Sequence, residues 1–111
     1  MNWINLEQNV QLDTIRELSF SRAQIIFKHS TRCATSSMAK NRLERNEQPA
    51  ESDFYYLDLI RYRSLSDQVA SSFDVYHESP QLLLIRNGIC VYKESHNGIQ
   101  MDDLAEQLQL N

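Results

Sequence analysis

The sequence predicts an α/β fold built on a central four-stranded mixed β-sheet with helices on both faces. Three observations carry that prediction. Short apolar or aromatic runs alternate with helix-patterned segments along residues 6–85, as parallel strands joined by crossover helices require. The pair Asn87-Gly88 then separates two short apolar runs, the strongest local signal for an antiparallel hairpin. A last amphipathic segment follows the hairpin.

The elements follow in order. Leu12, Ile15 and Leu18 recur at helical spacing with Asp13 and Glu17 between them, which predicts an N-terminal helix over 6–18. Residues 24–27 form a short apolar run suited to a buried strand. Residues 36–45 hold helix-favouring residues without Gly or Pro, so propensity predicts a second helix there. The polar stretch 46–53, with Pro49, reads as a connection. Residues 54–60 (FYYLDLI) read as the second strand. Ser64 and Asp67 look like a helix start, the hydroxyl capping and the acid complementing the dipole. Leu65, Val69 and Phe73 then give that helix one apolar face. Residues 82–85 and 89–92 flank the hairpin turn, and Met101, Leu104, Ala105 and Leu108 mark a C-terminal helix. This order fits a thioredoxin-like layout, with residues 1–111 as a single domain.

Composition narrows the function. The chain has 111 residues, a net charge of −4 and two cysteines. The acidic balance argues against a nucleic-acid partner, since phosphate contacts need a clustered basic surface. No apolar run reaches bilayer-spanning length, and the N-terminus lacks the basic-then-apolar pattern of a secretory signal. The expectation is a cytoplasmic monomer that contacts no membrane. Thiols stay reduced in that compartment, so Cys33 and Cys90 are each either small buried hydrophobes or reactive groups.

Cys33 falls between a predicted strand and a predicted helix. At a helix start, unsatisfied N–H groups carry partial positive charge and favour thiolate over thiol. Lys28, His29 and Arg32 add basic charge nearby and are candidates for tuning the sulfur. Ser36 lies one helical turn on, where its hydroxyl would donate to the sulfur and take a catalytic part. It also stands where a dithiol reductase would carry its resolving cysteine, so exchange here would stop at a mixed disulfide until an external thiol arrives. The bland alternative is an inert core thiol at Cys33.

Ser79-Pro80 precedes the third predicted strand. The simple reading is strand-start punctuation. The functional reading is a cis bond facing the cysteine, with the Ser79 backbone pairing an extended substrate segment.

The segments KHSTRCATSSMAKNRLER and VYHESPQLLLIRNG resemble the YtxJ-type monothiol bacilliredoxins of the thioredoxin superfamily, and the similarity runs from Trp3 to the C-terminal helix. The resemblance implies that Cys33 attacks mixed disulfides between client-protein thiols and bacillithiol, a small thiol that serves as co-substrate, with no tightly bound cofactor. It implies that Pro80 is cis. Thr31, Arg32, Ala34 and Thr35 around the cysteine, with Ser79 and Pro80 across from it, are the expected substrate contacts. Ser36 matches the family's serine. Ala34 departs from it, since members commonly carry proline there.

Cys90, between Ile89 and Val91, reads as a structural thiol. The alternative is a partner for Cys33, which needs Cα atoms within about 7 Å. His29, His77 and His96 match no zinc spacing, so no metal is expected. Two other functions compete: a non-catalytic thioredoxin-fold binding module, and an iron–sulfur carrier. The second is disfavoured because Arg-Cys-Ala-Thr-Ser lacks the Cys-Gly-Phe-Ser pattern of monothiol glutaredoxins.

Overall fold

A computed structural model describes residues 1–110 of the chain. The order of elements is β1 (Trp3–Asn5), α1 (Val10–Leu18), β2 (Ala23–His29), α2 (Ala34–Glu44), β3 (Ser52–Asp58), α3 (Arg63–Ser72), β4 (Gln81–Arg86), β5 (Ile89–Ser95), a 3-10 turn (His96–Gly98) and α4 (Met101–Leu110). The strands make one mixed sheet in the order β1-β3-β2-β4-β5. β1, β3 and β2 run parallel, and β4 and β5 add antiparallel.

The sheet therefore has five strands where the sequence predicts four. The added strand is β1, three residues on the edge beside β3, with Trp3 opposite Phe54. It forms because Trp3 has somewhere to go: its ring lies 5.7 Å from Phe27 and 6.0 Å from Phe54, and its indole N–H donates to Glu44 at 2.7 Å. α1 begins only after this strand, at Val10. α2 begins at Ala34, two residues before the predicted start, and α3 begins at Arg63 with Tyr62 at its N-cap. Ser64 thus lies within the helix and caps nothing.

Two cores form because strand side chains alternate between faces. Ile26, Tyr55, Leu57, Leu83 and Ile85 pack against Leu12 and Ile15 of α1, Leu65 and Val69 of α3 and Phe73 at its C-cap. Ile25, Phe27, Phe54, Leu82 and Leu84 pack against Ala39 and Leu43 of α2 and Met101 and Leu104 of α4. All seven residues of β2 are buried. A central strand covered on both sides gains about 1.5–3 kcal/mol for each large apolar side chain it buries. The β4–β5 turn is the predicted Asn87-Gly88, with φ of 54° and 83°. Their N–H groups donate to the Ser19 carbonyl and hydroxyl at 3.0 and 2.8 Å, which ties the hairpin to the end of α1.

Candidate active site

The register of β2 and β4 sets the site. Lys28 of β2 lies opposite Gln81 of β4. The chain that leaves β2 toward Cys33 and the chain that enters β4 from Ser79-Pro80 therefore sit side by side at one end of the sheet. The Ser79–Pro80 bond is cis, as the resemblance implies.

Cys33 occupies the N-cap of α2 with extended backbone, φ −112° and ψ 120°. Its N–H donates to the Ser30 carbonyl and its own carbonyl accepts from Ser37 N–H, both at 3.1 Å. No side chain caps this helix and its first turn holds no acid, so nothing competes with the sulfur for the partial positive charge there. Cys33 is half-buried, flanked by exposed Thr31, Arg32 and Ala34 and half-buried Thr35. Ser79 is half-buried and Pro80 buried. Cys33 belongs to neither of the two buried cores.

Ser36 does not do what its spacing suggests. It is fully buried, and its hydroxyl lies 2.7 Å from His29 Nδ1 and accepts from Ser30 N–H at 2.9 Å. Among the described residues, no side-chain hydrogen bond reaches the Cys33 sulfur. Ser36 is a fastener that joins α2 to the end of β2. The cause is the strand's alternation. His29 points to the same face as Phe27, beneath α2, and meets the inward side of its first turn.

His29 stacks on Phe27 with ring centroids 5.8 Å apart and meets Tyr56 at 5.6 Å. Burial, then the charge of Lys40, lowers its pKa against the opposing pull of Asp58 and Glu44. A neutral ring that accepts the Ser36 O–H at Nδ1 satisfies every group in this contact. His29 reaches the site through Ser36 and Ser30, and makes no hydrogen bond to the sulfur.

Lys28 points to the opposite face. It is fully buried, and its ammonium donates to the Ser66 carbonyl at 3.1 Å and meets His77 Nδ1 at 3.2 Å. Its hydrogen bonds go to α3 and to the segment before Pro80, not to Cys33. The sequence held the signal: in the strand AQIIFKH, Lys28 shares the period of Ile26.

Cys90 pairs with Ile85 at the other end of β4, where Ile85 in turn faces Gln24. Lys28 stands four residues along β2 from Gln24, so the two cysteines are separated by more than about 13 Å of strand length alone. That exceeds the reach of a disulfide. Both thiols are free. Cys90 is half-buried, its S–H donates to the Tyr92 carbonyl at 3.3 Å, and burial raises its pKa.

A family model described as monothiol bacilliredoxin BrxC matches residues 4–104. The chain belongs to this family. Its fold is the thioredoxin fold, and its chemistry is thiol redox chemistry. A solved structure described as a candidate oxidoreductase with a thioredoxin fold is 30% identical, with a TM-score of 0.81 over 94% of this chain and 91% of that one. A mutant thioredoxin from Halobacterium salinarum matches at 17% identity and TM-score 0.72, covering 98% of this chain and 89% of its own. Malassezia sympodialis thioredoxin matches at 15% identity and TM-score 0.73, covering 99% and 90%. The last two show the fold alone. For this bacilliredoxin family member, no helix is long and apolar enough to cross a membrane, and no cluster of three metal-ligating side chains occurs among the described residues.

Proposed function

We propose that this bacilliredoxin-family chain removes bacillithiol from mixed disulfides with client-protein thiols in the cytoplasm, as a monomer, with Cys33 as its one nucleophile. The Cys33 thiolate attacks the bacillithiol sulfur of the mixed disulfide. A Cys33–bacillithiol disulfide forms, the old disulfide breaks, and the client leaves as a thiolate that takes a proton from water. A second small thiol, as thiolate, then attacks the bacillithiol sulfur on Cys33. The products are a small-molecule disulfide and free Cys33, so one thiol is oxidised for each client reduced.

The observation that carries this reading is the separation of the two cysteines. Cys33 stands half-exposed at a helix N-cap, and Cys90 sits at the far end of the sheet. With no resolving thiol in reach, the second step belongs to an external thiol. Thr31, Arg32, Ala34 and Thr35 flank the sulfur and take the small thiol, Arg32 supplying positive charge for an anionic one. Ser79 and Pro80 receive the client backbone.

The test uses a client protein carrying bacillithiol on one cysteine, treated with wild type, Cys33→Ser and Cys90→Ser and followed by intact mass. Wild type and Cys90→Ser should release the client at equal rates and Cys33→Ser should not. Equal release by Cys33→Ser would overturn the reading.

A further inference from the structure

Lys28 is the largest fully buried polar side chain, and the exchange chemistry leaves it unused. It is fully buried between the sheet and α3. It forms no salt bridge among the described residues, whose two ion pairs are Arg22–Asp53 and Lys40–Glu44. A buried ammonium without a carboxylate partner is costly, and a methionine of similar length would fill the space at less cost. Methionine lacks donors, however. The ammonium donates to the Ser66 carbonyl of α3 and to His77 Nδ1. Burial lowers its pKa to about 8, with nearby Asp67 opposing, so it stays mostly charged at neutral pH.

His77 is the other half of the contact. It belongs to the exposed segment that leads into Ser79-Pro80. A ring nitrogen that accepts from an ammonium carries no proton, so neutral His77 holds its proton on Nε2. The Ser66 hydroxyl lies 3.3 Å from the same Nδ1. A second fastening closes the segment on itself: Gln81 Nε2 donates to the Tyr76 carbonyl at 2.9 Å. Gln81 lies directly across from Lys28 in the β2–β4 register. Residues 76–81 thus form a loop closed at its neck by Gln81 and anchored from the neighbouring strand by Lys28.

We propose that Lys28 is a positioning residue for the exchange reaction: through His77 it holds the 76–80 loop in the shape that receives the mixed-disulfide substrate, and it does not act on the Cys33 sulfur. The inference rests on the reading above, in which Ser79 and Pro80 take the client. Lys28 and His29, adjacent in sequence, then serve the two halves of the site from opposite faces of β2. His29 fixes the start of α2, and Lys28 fixes the loop beside it.

The test compares Lys28→Met, Lys28→Arg and His77→Ala with wild type. His77 is exposed, so its variant keeps the fold if Lys28→Met does not. Three readouts are used: the ¹⁵N chemical shifts of the His77 ring, the alkylation rate of Cys33, and kcat and KM on a bacillithiol-modified client. The wild-type ring should show an unprotonated, hydrogen-bonded Nδ1, and Lys28→Met should lose that signature. KM should rise about tenfold in Lys28→Met and His77→Ala while kcat stays within about twofold, with partial recovery in Lys28→Arg. Cys33 alkylation should stay within about twofold in all three. A large fall in alkylation would place Lys28 on the sulfur and overturn the proposal. Loss of the His77 signature with KM unchanged would also overturn it, while leaving the exchange reaction intact. Failure of the unaltered protein to release any client would refute the exchange reading instead, and the proposal with it.

Discussion

Replacing Ser36 with alanine separates a fastener from a catalytic donor. The wild-type hydroxyl is fully buried and bonded to His29 Nδ1 and Ser30 N–H. Alanine leaves both partners unpaired, and both residues are themselves buried. An unsatisfied buried polar group costs about 1–3 kcal/mol, so two give about 2–6 kcal/mol; the lower part, about 3 kcal/mol, applies because His29 and Ser30 keep 6% and 8% exposure. Alanine's better helix propensity returns about 0.5 kcal/mol. The net expectation is a loss of about 2.5 kcal/mol, or roughly 10 °C in Tm for a chain of this length. Urea denaturation with matched m-values measures the loss. Iodoacetamide alkylation of Cys33 in native buffer gives the second readout, and its rate should change by less than about twofold because the hydroxyl does not bond the sulfur. A stability change below about 0.5 kcal/mol together with a tenfold slower alkylation would refute the account and return Ser36 to the sulfur.

Three further predictions follow from local geometry. Ala34→Pro should stabilise the chain by about 0.4–1 kcal/mol in urea melts: Ala34 is the first residue of α2, and Cys33 already has the extended backbone a following proline requires. Stability measured against pH should rise between about pH 8 and 10 and not do so in Lys28→Met. The unfolded lysine holds its proton up to its ordinary 10.5 and the folded one only to about 8, so rising pH relieves a penalty on the order of 2 kcal/mol after allowance for screening. Tyr55, pushed up to about 12 by burial, opposes this above pH 10, which is why the difference between the two proteins is the quantity to read. Gly88→Ala should cost about 1 kcal/mol or more in the same urea assay, since φ is +83° and a Cβ would stand 3.2 Å from the Phe20 ring.

The parts of this fold that announce themselves locally were legible in the sequence. Leu65, Val69 and Phe73 gave the face of α3, and Asn87-Gly88 gave the hairpin with the positive φ values it needs. β1 was not legible, because three edge residues carry no period and their pairing with β3 is a contact some fifty residues distant in sequence. Ser64 was misread because the cap position lies two residues earlier, at Tyr62, and α3 starts at Arg63 without a side-chain cap. At the site, the placement of Cys33 at a helix start followed from a polar exit after an apolar run. The direction of Ser36 did not. Spacing of three residues puts it one turn from the cysteine, but only the packed structure shows that buried His29 and Ser30 N–H claim its hydroxyl. Lys28 and His29 looked like one basic cluster, yet neighbours on a strand face opposite ways, and that rule alone divides them between α3 and α2.

The most direct test of the central claim is an intact-mass and peptide-mapping experiment on the native protein after exposure to bacillithiol disulfide. A single bacillithiol adduct, mapped to Cys33 and removed by free thiol while Cys90 stays unmodified, is the result the proposed exchange predicts. An adduct on Cys90, or an internal Cys33–Cys90 disulfide formed in its place, would contradict it.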